Sequence, residues 1–290
     1  MLSLHTNASS LSAQNSISAT QKSLSTSMTR LSTGYRINSA MDDAAGLQIA
    51  TRLKAQTSGM AVAMRNTQNS ISMLQTAEGA FDEVTNMLVR MKDLATQAAD
   101  ASSNTSDQAA MQSEFDALGT ELGNVMNNTS FGGSALLKKA TGTLTKAMTF
   151  QIGASSAEKM TINLGGGTGP MDALDTSLSA ASSNYTTVAP GTEITTATSA
   201  NTTIDKLTTA IGDVSNVRSA LGAAANRLDH VYNNLSNIST NTKAATGRIM
   251  DVDFATESSN MTSSQMLMQA GTAMLKQSNS QSSMVMSLLQ

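Results

Sequence analysis

Residues 53–98 read LKAQTSGMAVAMRNTQNSISMLQTAEGAFDEVTNMLVRMKDLATQA. Taken at alternating intervals of three and four, they give Leu53, Gln56, Met60, Ala63, Thr67, Ser70, Leu74, Ala77, Phe81, Val84, Leu88, Met91, Ala95 and Ala98. Eleven of these fourteen are apolar, over more than six heptads. A strict seven-residue repeat keeps one narrow stripe turned toward a partner. The spacing therefore predicts a coiled-coil seam and not an ordinary globular helix face.

The same spacing recurs on either side. Met111, Phe115, Leu118, Leu122 and Val125 form a shorter seam, with Ser106-Asp107 where an N-cap would lie. Ile204, Leu207, Ile211, Val214, Arg218, Leu221, Ala225, Leu228, Tyr232, Leu235, Ser239, Thr242, Thr246 and Ile249 make a second long one. Ten of these fourteen are apolar, and the pattern thins after Leu235. Two long seams and a short one predict a mainly α fold, a long coiled-coil helical rod. Between them, Met148, Phe150 and Ile152 alternate with polar residues, as do Met160, Ile162 and Leu164, which predicts a small β-hairpin. Pro170 and Pro190 are the chain's two prolines, and both lie in the Gly-, Ser- and Thr-rich stretch 165–200. Its weak apolar pattern predicts a small exposed insert.

Composition removes several classes of function. The 290 residues include no Cys, no Trp and two His, with a net charge of −3. There is no disulfide framework, no thiolate metal site and no cysteine nucleophile, and no basic footprint for nucleic acid. His5 and His230 are expected at the surface or at an interface. No stretch approaches the ~20 apolar residues of a membrane span. Residues 1–21 lack Lys and Arg and carry no apolar run, so no cleaved signal peptide is expected. Asp251-x-Asp253 reads as a helix-start charge pair, not a metal site. Gly165-Gly166-Gly167-Thr168-Gly169 lacks the Gly-Lys-Ser/Thr ending of a phosphate cradle. Neither cofactor nor enzymatic activity is expected.

The two ends carry thinner stripes. Leu4 and Leu11 are seven apart; after a one-residue slip, Ile17, Leu24 and Leu31 follow at the same interval. At the other end Leu267, Gly271, Met274, Ser278, Gln281, Val285 and Leu288 repeat the three-four step. Isolated helices of this quality are marginal in water. Both ends are expected to be loose in the free chain and to order only when a partner covers the stripe.

Residues 31–52, LSTGYRINSAMDDAAGLQIATR, closely resemble the N-terminal signature of bacterial flagellins. LGAAANRL at 221–228, RIMDVDFATE at 248–257 and QAGTAMLKQSN at 269–279 follow the family's order, as do FGGSALL at 131–137 and QIG at 151–153. The resemblance covers residues 1–164 and 200–290. It implies a filament subunit for motility whose N- and C-terminal helices pair as an inner coiled-coil layer (1–44 with 250–290). Around it would lie an outer helical rod with the β-hairpin (45–164 with 201–249). The short insert 165–200 would stand where longer members carry outer variable domains, as in some lateral forms.

The resemblance further implies that Asn38, Asp42, Asp43 and Gly46 join the layers; the residues themselves suggest capping, or a salt bridge to Arg36 or Arg52, as the local role of the two aspartates. It implies that Arg90, Leu94 and Glu114 make subunit contacts and form the surface sensed by the flagellin-recognising Toll-like receptor. The partners would be further copies of the chain, an export chaperone and export apparatus, and the filament cap and hook-junction proteins. The location would be the extracellular flagellum. Alternative readings are a hook-filament junction protein, which shares the terminal helices, and a membrane-active secreted protein. The Ser-rich, Lys-poor stripes argue against the latter. A peptidase insert would need a His-Glu-x-x-His motif, and residues 165–200 contain no His.

Overall fold

The computed structural model describes residues 7–287 apart from 168 and 188, and the side chains up to residue 281. Leu4, His5 and Leu288 lie outside the described residues, as does the side chain of Val285. The elements in chain order are α1 (Ala8–Thr33), α2 (Ala44–Ala98), α3 (Thr105–Asn128), β1 (Ser130–Phe131), β2 (Ser134–Ala135), β3 (Ala147–Gln151), β4 (Lys159–Asn163), α4 (Pro170–Ala181), a 3-10 turn (Ser183–Tyr185), α5 (Ala197–Met250) and α6 (Phe254–Ser287). The fold is mainly α with small antiparallel hairpins. Two compact units divide it: one combines the chain up to Thr57 with the chain from Thr240 onward, and the other is Ser58–Ser239.

The Ser58–Ser239 unit holds the core. Eleven of the fourteen seam positions between 53 and 98 are buried: Met60, Ala63, Thr67, Leu74, Ala77, Phe81, Val84, Leu88, Met91, Ala95 and Ala98. On α5 the buried line is Thr203, Leu207, Ala210, Val214, Val217, Leu221, Ala224 and Leu228. It shares the seven-spaced leucine and valine positions with the expected seam but takes the neighbouring residue at every other step. Arg218, expected on the line, instead lies beside it. Its Nε donates to Glu78 Oε1 at 2.8 Å, and its Nη2 lies 3.2 Å from Asp82. Glu78 first, then Asp82, raises the Arg218 pKa above its already high ordinary value.

The hairpin β3–β4 pairs Met148 with Ile162 and Phe150 with Met160. Its alternate residues Met148, Met160 and Ile162 are buried in the core, the period-two pattern made physical. A second, minimal hairpin pairs Phe131 with Ser134 across Gly132-Gly133, whose φ angles of +57° and +83° suit a two-residue turn. The N-cap of α3 is Asn104, not Ser106-Asp107. Asn104 Oδ1 accepts from Ser106 N and Asp107 N, and Asp107 reaches back to the Asn104 N–H in a capping box.

Residues 165–200 are not the exposed insert that their composition predicts. Helix α4 starts at Pro170, with Asp172 accepting from Gly167 N at 2.8 Å, and it buries Met171, Leu174, Leu178 and Ala181. Those residues form a helical stripe only about three turns long, diluted by the surrounding Gly, Ser and Thr, so periodicity over the whole stretch hides it. The following chain is strapped to α3 by polar contacts. Gln112 donates to Asp116 and Glu193 and accepts from Ile194 N, while Glu193 accepts from Ser183 N and Oγ. Burial works against the Glu193 charge, but the Ser183 hydrogen bonds outweigh it and lower its pKa. Tyr185 donates to Asp175 at 2.9 Å; burial first, and then the Asp175 charge, drives the tyrosine pKa far above its ordinary value.

Candidate assembly surface

The terminal unit is built around the antiparallel pair α1–α6. At its open end Asn7 Nδ2 donates to Ser278 O at 3.1 Å and Ser10 Oγ to Asn279 Oδ1 at 3.1 Å. In the middle Gly271 lies so close to Ile17 that a Cβ there would stand 2.8 Å from Ile17 Cγ1. Nearer the connecting turns Arg30 Nη1 lies 3.7 Å from Glu257 Oε2, and Arg30 Nε is buried without a hydrogen-bond partner.

The packing of this pair is unlike that of the other unit. Among the described residues, no apolar side chain of α1 or α6 is fully buried; the buried side chains are Ser27 and Glu257. Ile17, Leu24 and Leu31 face α6 and are half-buried. Leu11 does not join them and is 58% exposed. The one-residue slip in the N-terminal heptad is therefore a change of face.

On α6 the expected line does not meet α1 throughout. Leu267 and Met274 are 59% and 66% exposed. The side toward α1 is instead Met261, Ser264, Met268, Gly271, Leu275 and Ser278, all half-buried. Helix α6 thus carries two seven-spaced apolar lines side by side, 261/268/275 and 267/274. Spacing alone cannot say which of two adjacent lines meets a given partner.

The segment between α1 and α2 is tightly tied. Asp42 Oδ2 accepts from Ser39 N at 2.9 Å, Asn38 N at 3.1 Å and Ser39 Oγ at 3.1 Å. Those bonds, the Ser39 amide first and then the Asn38 amide, lower the Asp42 pKa below its ordinary 3.8. Asp43 caps α2 through Gly46 N at 2.8 Å. A side chain at Gly46 would collide with the Asp43 carboxylate and with buried Ile37. Asn38, Asp42, Asp43 and Gly46 are therefore one local structure.

A β-bridge between Tyr35 and Asp251 joins that segment to the α5–α6 connection. Arg36 N donates to Met250 O at 2.6 Å, Val252 N to Gly34 O at 3.0 Å and Arg36 Nη2 to Ile249 O at 2.8 Å. Asp253 starts α6: it accepts from Thr256 Oγ1 at 2.7 Å and Ala255 N at 3.0 Å. The Thr256 hydroxyl and then the Ala255 amide lower its pKa. The spacing Asp-x-Asp thus marks a helix start.

Arg90, Leu94 and Glu114 lie in the other unit and divide. Arg90 and Glu114 are paired on the surface. Leu94 is 2% exposed and packs in the core. The face of α2 is broad here, with Met87, Leu88, Met91, Leu94, Ala95 and Ala98 all buried. Leu94 is consequently not a surface contact, a correction to the expectation for it.

Among the described residues no three His, Cys, Asp or Glu side chains are grouped to hold a metal ion, and no helix is long and apolar enough to cross a membrane. Tied connecting turns and half-covered apolar lines mark the terminal unit, and a packed core marks the other. The arrangement is that of a mainly helical protein whose terminal pair leaves apolar lines uncovered.

The comparisons specify the family. Residues 4–142 match the bacterial flagellin N-terminal helical region, and residues 204–289 match the bacterial flagellin C-terminal helical region. A flagellin of Halalkalibacterium halodurans is 40% identical over 262 residues, 90% of each chain. Flagellin A of Vibrio anguillarum is 34% identical over 381 aligned positions that span 100% of both chains, so part of that relative has no counterpart among these 290 residues. A putative flagellar hook-associated protein from Vibrio parahaemolyticus shares the fold, with a TM-score of 0.55 over 72% of this chain and all of that one, at 16% identity. The chain belongs to the bacterial flagellin family. It is a self-polymerising structural subunit of the extracellular flagellar filament, and not an enzyme.

Proposed function

We propose that polymerisation is driven by the apolar lines the terminal pair leaves uncovered, and that α1 and α6 consolidate only in the polymer. The carrying observation is the doubled line of α6: 261/268/275 is turned toward α1, and 267/274 is turned away. Leu11 supplies the matching uncovered residue on α1; by spacing alone Leu4 continues its line and Leu288 that of 267/274, while Val285 continues the line of Gly271 and Ser278. Covering a Leu or Met fully contributes roughly 1.5–3 kcal/mol, whereas ordering one backbone residue costs about 1–2 kcal/mol. A pair with no fully buried apolar side chain among its described residues does not offset that cost alone. Head-to-tail repetition of a contact that does not close on itself gives an open helical filament.

Within this reading residues 1–44 and 250–290 form the inner layer, and Asn38, Asp42, Asp43 and Gly46 carry the chain into the outer one, residues 45–164 with 201–249. Before assembly the loose α6 is the segment an export chaperone covers, and the chain leaves through the export apparatus. Cap and hook-junction proteins meet the same terminal lines. Arg90 and Glu114, without Leu94, form the candidate contact for the flagellin-sensing Toll-like receptor. The test is deletion of residues 1–35 or 256–290. Circular dichroism should show the Ser58–Ser239 unit still folded, and electron microscopy should show no filaments after seeding. Filaments from the doubly truncated chain would end the proposal.

A further inference from the structure

Methionine makes up 20 of the 290 residues, and the chain has neither Cys nor Trp. Its thioethers are thus its sole sulfur, and no thiol is present to intercept an oxidant first. The described methionines range from buried to exposed, and the most exposed, Met41 at 96%, lies in the turn before α2 and not on the terminal pair. In the Ser58–Ser239 unit Met60, Met91, Met126, Met160 and Met171 are buried. On the terminal pair Met28 and Met266 are 50% and 60% exposed and, with Met274, lie outside the α1–α6 contact. Leucine would supply similar apolar area there without the sulfur chemistry.

We propose that Met28, Met266 and Met274 are a redox modification site through which peroxide reversibly blocks assembly of the free subunit. A thioether lone pair attacks one peroxide oxygen, the O–O bond breaks, and the other oxygen leaves as water. Sulfur is oxidised by two electrons to the sulfoxide and peroxide is reduced. A sulfoxide reductase returns the thioether with two thiols, giving a disulfide and water. The sulfoxide is a strong dipole that must shed its water to enter an apolar contact, so an oxidised line no longer favours packing against a neighbour. Once a copy is incorporated, the same sulfurs are covered and protected. The inference rests on the assembly reading above.

The test uses the full-length monomer, hydrogen peroxide, site-resolved peptide mass spectrometry and seeded assembly followed by light scattering. Met28, Met266 and Met274 should be oxidised before the buried methionines of residues 58–239. The critical concentration should rise about tenfold or more for each such side chain excluded from the interface. Sulfoxide reductase with dithiothreitol should reverse the effect. In the triple variant Met28→Leu/Met266→Leu/Met274→Leu, assembly should be far less sensitive to peroxide than in the wild type, whereas Met41→Leu alone should leave the sensitivity unchanged. Complete oxidation of the three sites with unchanged assembly would overturn the proposal. So would an equal peroxide sensitivity in the triple variant, or prior oxidation of the buried methionines. An unoxidised Leu267→Ser chain separates the two readings. If it assembles normally, the assembly reading fails; if it does not, while oxidised wild type does, the redox proposal alone fails.

Discussion

Arg90 and Glu114 form an ion pair in which Nε and Nη2 both donate to the same carboxylate oxygen, Oε1, at 2.8 and 2.6 Å. Both side chains remain about half exposed. The pair orients two surface groups from α2 and α3 without anchoring the core.

Arg90→Ala and Glu114→Ala should therefore lower stability by at most about 1 kcal/mol each. Leu94→Ala should cost about 2–5 kcal/mol, because it opens a cavity in the core. Denaturant unfolding separates them. A receptor-reporter assay at matched folded concentration should show losses for Arg90→Ala and Glu114→Ala. A loss for Leu94→Ala that persists after correction for unfolding would reinstate it as a contact.

Gly46→Ala tests the turn into α2. Alanine gains about 1 kcal/mol in helix propensity, while forcing a methyl into a filled site costs typically about 1–3 kcal/mol. The collision with the Asp43 carboxylate also removes the cap, so the net effect should be destabilising. Amide exchange should quicken over residues 36–50; slower exchange there would show that the neighbours yield freely.

Asn104→Ala should cost about 0.5–2 kcal/mol, since it removes the one oxygen that accepts from the Ser106 and Asp107 amides and leaves only the Asp107 half of the capping box. Asn104→Asp should restore most of the loss. Thermal unfolding of the two variants gives the comparison.

Acid should loosen the terminal unit at defined points. Asp42 and Asp253 have pKa values lowered in the fold from an ordinary 3.8. Their contribution is present above that ordinary value and is lost as pH falls through the lower folded-state pKa. Nuclear magnetic resonance titration should show the Ser39 and Thr256 amides moving below pH 3.8. Asp42→Asn and Asp253→Asn should remove those transitions. Transitions centred above 3.8 would contradict the assignment.

Periodicity fixed the helices of this chain better than their facing. The seam from Met60 to Ala98 could be placed because polar residues flank it for most of its length. On α5, Ile204 and Ile211 stand next to the buried Thr203 and Ala210, so two lines competed, and Arg218 betrayed the wrong one by its charge partners. On α6 the line through Met268 runs directly beside a shorter apolar line through Leu267. The choice between them lies in the approach of Ile17 to Gly271, a long-range contact that no local pattern encodes. Asp253 is legible as a helix-start residue and Asp43 as a cap because capping is local, whereas Asp42 turns back to the Asn38 and Ser39 amides. Helix α4 was missed because four apolar residues among many Ser and Thr leave little signal, although Gly169-Pro170 with Asp172 marked its start.

Hydrogen exchange on the same chain, dilute and monomeric in one sample and polymerised in the other, tests the central claim most directly. The account predicts rapid amide exchange across Ala8–Thr33 and Phe254–Ser287 in the monomer, protection of the Ser58–Ser239 core in both samples, and strong protection of the terminal helices only in the filament. Terminal helices as protected in the dilute monomer as in the filament would contradict it.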